Sequence, residues 1–385
     1  PRGTARRGRQ RATTVSWNSM RVQQLAAPSG EIHSAPGYHR DHKDKTLWWT
    51  GDGEEVTDPA VLERLAKLAL PPAWRHVWVA PDPEARVQAR GIDSRGRTQY
   101  RYSAAAVEQA TRDKFAHMLH YAKALPHLRE LIHLRLSEPT ETPDFRQVTA
   151  LAARYLDLGL FRVGSDRYAR DNNTYGLTTL RTDHVTVAGN TTTFDFVGKE
   201  HVMQHHEIED ELSARMTARL LELHALATGA NPTSTNVPES APLLFSVPHP
   251  AGAKGRRRSV KAATLNSYVH GATGAAASVK MARTWGATVI AAAVIGGARF
   301  DSPVNHRDQS LVAFDAAAAI LGNTPTMARS SYVHPAALEI GQSSRIQKAV
   351  AVAAAKKGTD EVKKLFFDPD LQESVRQALE HHTQS

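Results

Sequence analysis

The sequence of 385 residues contains no cysteine. Disulfide bonds, thiolate zinc sites and cysteine nucleophiles are therefore excluded, and the absence is typical of a reducing compartment. A long apolar run is also missing, since the longest stretch of small apolar residues, 285–298, is too short to span a bilayer. No apolar segment of the kind found in signal peptides follows the basic N-terminus. We therefore expect a cytoplasmic protein.

The sequence also lacks the G-x-x-x-x-G-K-[ST] pattern of a nucleotide-binding loop. Its nearest glycine-lysine pair, Gly198-Lys199, lies inside a predicted hairpin. His201, His205 and His206 cluster on a predicted strand, but no set of carboxylates accompanies them as metal ligands would require. We expect an activity that needs neither a nucleotide cofactor nor a metal.

Positive charge is in excess, with 48 Lys and Arg against 39 Asp and Glu, a net charge of +9. Such an excess suits a polyanionic partner. Six of the arginines and no acidic residue lie within residues 1–30, however, so the rest of the chain carries +3. The case for a nucleic-acid partner therefore depends on local basic patches.

The pattern along the chain predicts three regions. Residues 1–28 lack apolar periodicity and are predicted to be a disordered basic tail. Residues 29–104 are rich in aromatic and β-branched residues between turn signals, which predicts a β-rich domain with one helix near 59–69. Residues 105–385 begin with apolar side chains at helical spacing and predict a mainly helical domain.

The helical domain contains one predicted sheet. Between residues 177 and 209 the apolar period changes to two, and two turn signals separate three alternating runs. A three-stranded antiparallel sheet is predicted, with Lys199 on its second turn. A linker-like stretch follows at 227–242, and helices resume at about 278–294 and 307–321. The fold class is therefore α+β.

Four segments of this domain suggest chemistry: LGLFRVGSDRYARDNNTYGLTTL, FDFVGKEHV, SVKMARTWGAT and LGNTPTMARSSYVHP. Taken alone, Tyr332 would be half-buried packing, Arg162 and Arg283 would be ion-pair partners, and Lys199 would be a solvated turn lysine. Together they suit in-line attack on a phosphodiester. Guanidinium groups can hold the nonbridging oxygens, an ammonium can protonate the leaving alkoxide, and a tyrosine hydroxyl can act as nucleophile.

In this order and spacing the segments resemble the type IB DNA topoisomerases, particularly the compact enzymes of bacteria and large DNA viruses. The resemblance runs from KDKTLWWTGDG, at residue 43, to residue 338. At the position where viral and eukaryotic members carry a histidine, this chain has an asparagine, as in the bacterial branch. The resemblance implies a nucleophile, two phosphate-binding arginines, a general acid and a neutral hydrogen-bond donor, which are respectively Tyr332, Arg162 and Arg283, Lys199, and Asn323.

The same resemblance implies an isomerase that relaxes supercoiled duplex DNA. It would cut one strand through a 3′-phosphotyrosyl intermediate and reseal it, without ATP or metal. We expect a monomer in which the two domains form a clamp around DNA, acting in the cytoplasm on the nucleoid.

The segment GIDSRGRTQYRYS resembles the DNA-reading strand of the family. Alternation along a strand sends Gln99 and Arg101 to one face and Tyr100 and Tyr102 to the other, so we expect one face to meet DNA and the other to pack. The predicted DNA contacts are Arg97, Gln99, Tyr100, Arg101, Tyr102, Arg167, Tyr168 and Lys280, and the basic loop 254–261 is predicted to bind phosphate.

Two alternatives remain open. A tyrosine recombinase shares the same arginine, lysine and tyrosine chemistry, but recombinases usually place a histidine three residues before the second arginine, where this chain has Lys280. A noncatalytic basic DNA-binding clamp would keep the basic patches and would need none of the five site residues.

Overall fold

The computed structural model describes residues 36–41, 43–228, 241–249, 257–274 and 277–384. The predicted basic tail, most of the linker-like stretch and the first part of the basic loop lie outside the described residues. The chain divides into two compact units, and the division falls between Lys114 and Phe115.

The N-terminal unit contains five short strands, which are β1 (Tyr38–Arg40), β2 (Trp48–Thr50), β3 (Arg75–Val79), β4 (Val87–Ile92) and β5 (Thr98–Tyr102). They form one antiparallel sheet in the order β2-β1-β3-β4-β5. Helix α1, Pro59–Lys67, begins after Asp58, whose carboxylate accepts a hydrogen bond from the backbone of Ala60. The core lies between this helix and the sheet, and Leu65 and Val79 are almost fully buried there. The predicted β-rich domain with one helix is confirmed.

The C-terminal unit is mainly helical. Its helices, counted from the long one that crosses the division, are α2 (Ala104–Ser137), α3 (Phe145–Gly159), α4 (Asp166–Asn172), α5 (Glu211–Thr228), α6 (Ala262–Thr273), α7 (Val279–Ile295), α8 (Gln309–Leu321), α9 (Pro325–Ser331), α10 (Ala337–Gly341), α11 (Ser344–Lys357), α12 (Val362–Leu365) and α13 (Pro369–Gln384).

Helix α3 shows why the sequence specifies these boundaries. Its N-terminus carries a capping box, in which the Asp144 carboxylate accepts from the Gln147 backbone and the Gln147 side chain accepts from the Asp144 backbone. Its C-terminus is closed by Leu160 in the left-handed conformation, with φ of +48°. The chain then leaves the helix directly toward Arg162.

A three-stranded antiparallel sheet is present where the sequence predicts it. It consists of β6 (Val185–Ala188), β7 (Thr191–Val197) and β8 (Met203–Glu209), in that order. Phe194 and Phe196 of the central strand are buried, and Lys199 lies in the turn between β7 and β8. Two further strands, β9 (Ser246–Pro248) and β10 (Arg257–Ser259), form a separate antiparallel pair.

Helix α7 lies in the middle of the C-terminal core. Almost every side chain from Val279 to Val294 is buried, including polar ones such as Thr288. The helix contains five alanines and one glycine, and these small residues let neighbouring elements approach its backbone closely. Among the described residues, no helix has the length and apolar character required to cross a bilayer.

Candidate active site

Tyr332 lies at the C-terminal end of helix α9. The helix begins at Thr324, whose hydroxyl accepts a hydrogen bond from the Met327 backbone, and Pro325 occupies its first turn. The Tyr332 N–H closes the last turn by donating to the Ala328 carbonyl at 3.1 Å. The side chain packs partly buried against the main core. A short, capped helix therefore fixes the tyrosine while leaving it accessible.

The end of helix α8 anchors two arginines. Gly322 closes this helix in the left-handed conformation, with φ of +59°. The last carbonyl groups of a helix have no partner within the helix and carry partial negative charge. Arg283 donates from Nη2 to the Leu321 carbonyl at 2.8 Å, and Arg162 donates from Nη2 to the Gly322 carbonyl at 3.0 Å. The helix end thus brings together two cations that are distant in sequence.

Asn323 follows this helix end directly and lies between Arg162 and the tyrosine. Its backbone N–H donates to the Ala318 carbonyl at 2.9 Å, which fixes its position. Its Oδ1 accepts a hydrogen bond from Nη2 of Arg162. Because the oxygen of the amide is used in this way, the amide nitrogen Nδ2 remains as a donor.

The backbone of Arg162 is held by a close approach of two chain segments. The Arg162 carbonyl accepts from the Leu177 N–H at 2.8 Å. A Cβ atom at Gly176 would lie 2.6 Å from that carbonyl oxygen, so a larger residue at 176 would force the segments apart. Glycine at this position lets Arg162 project from an extended segment that is fixed on one side.

Arg283 is the most deeply buried member of the site, with 6% of its surface exposed. It donates from Nη1 to the Leu160 carbonyl at the end of α3. This contact requires α7 to approach α3 closely, and a Cβ at Gly286 would lie 2.4 Å from the Leu160 side chain. The guanidinium carbon lies 5.2 Å from the centre of the Tyr332 ring.

Two buried donors in this group make no hydrogen bond of good distance and angle among the described residues, although both residues approach the Tyr332 hydroxyl. They are Nε of Arg283 and Nδ2 of Asn323. An unpaired buried donor costs roughly 1–3 kcal/mol, and more when the group is charged. Such groups at one place, beside a tyrosine hydroxyl, are suited to an anionic ligand that accepts hydrogen bonds from both.

The charges around Tyr332 lower the pKa of its hydroxyl below the usual value. Burial is the largest single influence and acts in the opposite direction, since it disfavours the phenolate. The charge of Arg283 and its close approach to the hydroxyl, the charge of Arg162 and the approach of Asn323 together outweigh burial. The pKa of Arg283 is lowered in turn. Burial is the main cause and the charge of Arg162 adds to it, while Tyr332 acts in the opposite direction. The environment therefore makes the Tyr332 hydroxyl easier to ionise than that of an exposed tyrosine.

Lys199 lies on the turn between β7 and β8. Its side chain is 65% exposed, and its ammonium lies 3.4 Å from the carboxylate of Glu200. Glu200 and His201 both adopt the left-handed conformation, with φ of 64° and 58°, which is costly for residues other than glycine. The structure thus places Lys199 on a strained turn.

Lys199, Arg162 and Asn323 line one cavity of about 1630 Å³ in the C-terminal unit. Two residues that sequence reasoning did not assign to the site, Gln204 and His206, line it as well. Both lie on β8, two residues apart. Because side chains alternate along a strand, the sequence could have predicted that they share one face.

His206 is held neutral at the edge of the arginine pair. Its ring packs 4.2 Å from that of Phe161, centre to centre. Burial, followed by the charges of Arg283, Lys363, His205 and Arg162, lowers the pKa of His206 to about 4. Nearby, His205 contacts Asp195 at 2.7 Å. Within the described residues no group of three or more His, Asp or Glu side chains is arranged as a metal site.

In the N-terminal unit the predicted DNA-reading strand is β5, at the edge of the sheet. The expectation that one of its faces packs is wrong. Tyr100 and Tyr102 are 40% and 45% exposed and stack on each other, Arg101 on the other face is exposed, and Gln99 is partly buried. Strand β5 lies at the edge of the sheet, and the small core of this unit does not reach far enough to cover either face of the strand.

Two of the predicted β5 contacts share one partner. The side chains of Arg97 and Gln99 both donate to the carboxylate of Asp93, at 2.8 and 2.9 Å. The hydrogen bond from the Arg97 side chain is the main reason that the pKa of Asp93 lies well below its usual range. Asp93 thus orients both side chains along the exposed edge of the sheet.

The remaining predicted contacts lie on the C-terminal unit. Arg167 and Tyr168 project from α4 with 83% of the arginine side chain and 55% of the tyrosine exposed. Lys280 is exposed on α7, three residues before Arg283. These three side chains are available to a ligand of the C-terminal unit.

The described part of the basic loop has partners within the protein. Arg257 donates to Ser246, the guanidinium of Arg258 lies 3.7 Å from the centre of the Phe145 ring, and Lys261 pairs with Asp166 at 3.0 Å. These contacts tie the described basic side chains to the fold, so phosphate binding by this loop stays a prediction.

Comparison with known proteins gives consistent matches over most of the chain. Residues 103–358 match the family model described as the catalytic core of eukaryotic DNA topoisomerase I. Residues 47–93 match the N-terminal domain of bacterial DNA topoisomerase IB. The chain is also 28% identical over 319 residues to the DNA topoisomerase 1B of Acanthamoeba polyphaga mimivirus, covering 82% of this chain and 90% of that protein. Because the catalytic-core model spans well over half of the sequence, the chain belongs to the type IB DNA topoisomerases.

Proposed function

We propose that Tyr332 relaxes duplex DNA by attacking one phosphodiester of the backbone. The Tyr332 hydroxyl gives up its proton to solvent, its oxygen forms a bond to phosphorus, and the bond from phosphorus to the 5′-oxygen breaks. The DNA strand is left attached to Tyr332 through its 3′-phosphate, and the other end carries a free 5′-hydroxyl. After the duplex has rotated about the intact strand, the 5′-hydroxyl attacks the phosphotyrosine and restores the backbone.

The observation that carries this proposal is the pair of unsatisfied donors beside Tyr332. Arg283 Nε and Asn323 Nδ2 are buried without a partner among the described residues. The nonbridging oxygens of a phosphodiester are hydrogen-bond acceptors of the required charge. A scissile phosphate bound here would pair both donors while lying next to the hydroxyl that attacks it, which is an arrangement prepared before the substrate binds.

The two arginines supply charge where the reaction develops it. In the transition state, negative charge accumulates on the nonbridging oxygens, and guanidinium groups stabilise it with charge-assisted hydrogen bonds. Arg162 and Arg283 are fixed by the carbonyl groups of Gly322, Leu160 and Leu321. Because these contacts exist in the free protein, little reorganisation is needed when the phosphate arrives.

Lys199 supplies a proton to the leaving group. The departing 5′-alkoxide is far more basic than a phenolate and needs a donor. The exposed ammonium lies on the wall of the same cavity as Arg162 and Asn323. Closure of the strained turn on bound DNA would release Lys199 from Glu200 and bring it to the 5′-oxygen.

The reaction needs no external energy, because one phosphodiester replaces another. No ATP is hydrolysed and no water is consumed. On resealing, Lys199 recovers its proton from the 5′-hydroxyl and Tyr332 regains its own from solvent. The arginines and Asn323 provide the electrostatic stabilisation that a metal would otherwise contribute. We therefore propose that relaxation is independent of ATP and metal.

Exposed basic and aromatic side chains on both units are proposed to hold the duplex. Tyr100, Arg101 and Tyr102 on β5 offer ring stacking and phosphate or base-edge contacts, and Arg167 and Lys280 offer charge close in sequence to the catalytic arginines. A monomer that clamps DNA between its two units remains our expectation for the complex.

Relaxation of a supercoiled plasmid in EDTA without ATP tests the proposed function. We expect a ladder of relaxed topoisomers, with the covalent complex trapped by rapid denaturation. Recombined products would favour a tyrosine recombinase, unchanged plasmid that is nonetheless bound would favour a noncatalytic clamp, and a requirement for added metal would contradict metal independence.

Substitutions at Asn323 test its role as a neutral donor. Asn323→Ala should slow single-turnover cleavage by the equivalent of roughly 1–3 kcal/mol. Asn323→His should retain most activity, because a neutral imidazole can accept from Arg162 with one nitrogen and donate to phosphate with the other. Asn323→Asp should lose more than Asn323→Ala, since it places a negative charge beside the phosphate.

The cleavage rates of the two arginine variants are the reference for the Asn323 variants. Arg162→Ala and Arg283→Ala should each slow cleavage more than Asn323→Ala, because each removes a charged contact. If Asn323→Ala proved slower than either arginine variant, Asn323 would be placing the tyrosine or the phosphate, and its role as a simple donor would be wrong.

A further inference from the structure

Thr288 is a fully buried threonine on α7, five residues after Arg283, with none of its surface exposed. Its hydroxyl donates to the Thr284 carbonyl at 2.8 Å, one helical turn earlier. The same oxygen accepts a hydrogen bond from the backbone N–H of His334 at 3.1 Å. The Tyr332 carbonyl oxygen lies 3.4 Å away as a longer contact. One hydroxyl therefore connects α7 to the chain immediately after Tyr332.

We propose that Thr288 is a positioning residue that sets the distance between Tyr332 and Arg283. The proposal rests on the role of Tyr332 as nucleophile. On its N-terminal side Tyr332 is held by α9 through the Ala328 carbonyl. On its C-terminal side the contact from His334 to Thr288 fixes the chain to the helix that carries Arg283.

The partner of the tyrosine is already fixed from the other direction. Arg283 is bound to the carbonyl groups of Leu160 and Leu321, so its guanidinium cannot follow a displaced tyrosine without breaking these contacts. The distance between Tyr332 and Arg283 can therefore change mainly by movement of the backbone that carries Tyr332. The Thr288 hydroxyl restricts this freedom, and its own rotamer is restricted by the β-branch and the bond to Thr284.

Thr288→Val tests the proposal because it replaces the hydroxyl by a methyl group of similar size. The buried His334 N–H then loses its acceptor. We expect single-turnover cleavage to slow roughly 10- to 100-fold, while DNA affinity changes less than about twofold. The rising limb of the pH profile for cleavage should move to higher pH, because Tyr332 lies less well within the field of Arg283. Thr288→Ser keeps the hydroxyl and should behave like the unsubstituted protein.

Thr284→Val is the matched control. Thr284 lies one turn earlier on the same helix, is similarly buried at 4%, and directs its hydroxyl to the Lys280 carbonyl at 3.5 Å. We expect it to cleave at a nearly normal rate with an unshifted pH profile. If Thr288→Val does not fold, Thr288→Ala carries the same expectation.

Two results would overturn the proposal while leaving Tyr332 as nucleophile. One is normal cleavage by Thr288→Val. The other is an equal loss in Thr284→Val with no shift of the pH profile in either variant, which would indicate general destabilisation of α7. Failure of the unsubstituted protein to attach DNA to Tyr332 would instead contradict the proposed function itself.

Discussion

Tyr332→Phe is expected to abolish strand cleavage while leaving DNA binding nearly unchanged. The substitution removes the oxygen that attacks phosphorus, so the covalent bond between residue 332 and DNA cannot form. The ring remains, and it packs partly buried against the core. Plasmid relaxation and the yield of covalent complex should both fall below detection, whereas affinity for linear duplex should stay within about twofold.

Tyr268→Phe provides a control for this experiment. Tyr268 is another tyrosine packed partly buried against the same core, on α6. Loss of its hydroxyl should leave relaxation unaffected. Relaxation by Tyr332→Phe at a nearly normal rate would show that another residue attacks the DNA.

Lys199→Ala is expected to slow cleavage by roughly two to four orders of magnitude, the usual contribution of a general acid. The loss should be specific to the leaving group. A DNA substrate with sulfur in place of the 5′-bridging oxygen releases a thiolate, which leaves without a proton. On this substrate Lys199→Ala should cleave at nearly the rate of the unsubstituted protein.

Two comparisons make the result for Lys199 decisive. Lys348→Ala removes an exposed lysine from α11, and it should have little effect with either substrate. Arg283→Ala should remain slow with the sulfur substrate, because its role concerns the nonbridging oxygens. If the sulfur substrate did not rescue Lys199→Ala, Lys199 would be binding phosphate rather than donating a proton.

Much of the fold follows from periodic patterns in the sequence. The predicted helices near 278–294 and 307–321 correspond to α7 and α8, and the predicted three-stranded sheet corresponds to β6, β7 and β8. Helix α2 runs from Ala104 to Ser137 and passes through Pro126 without ending there. Tertiary packing maintains the helix there, since Leu125 and Leu128, which flank the proline, each expose only 1% of their surface.

The sequence could single out the residues of the candidate site, but not how they are held in place. The resemblance could single out Arg162, Arg283, Asn323 and Tyr332 because side-chain identity and spacing are visible in a sequence. The groups that hold them are the carbonyls of Leu160, Leu321 and Gly322. Backbone acceptors leave no trace in the residue type, so neither the anchoring of the arginines nor the two unpaired donors could be inferred before the structure.

The contribution of Thr288 was hidden for the same reason. In the sequence Thr288 is one residue of a buried, alanine-rich helix with nothing to distinguish it. Its partner is the backbone N–H of His334, which residue types do not reveal. A single sequence shows a polar residue among apolar ones at this point but does not show which segment lies against it.

Attachment of the DNA strand to Tyr332 is tested by mapping the covalent adduct. The unsubstituted protein is incubated with a duplex from which the short downstream fragment, which carries the free 5′-hydroxyl, dissociates after cleavage. The protein is then denatured and digested with a protease, and the nucleotide-bearing peptide is sequenced by mass spectrometry. We expect a single modified residue, Tyr332, carrying the 3′-phosphate of the cleaved strand. Attachment at any other residue, or attachment through a 5′-phosphate, would contradict it.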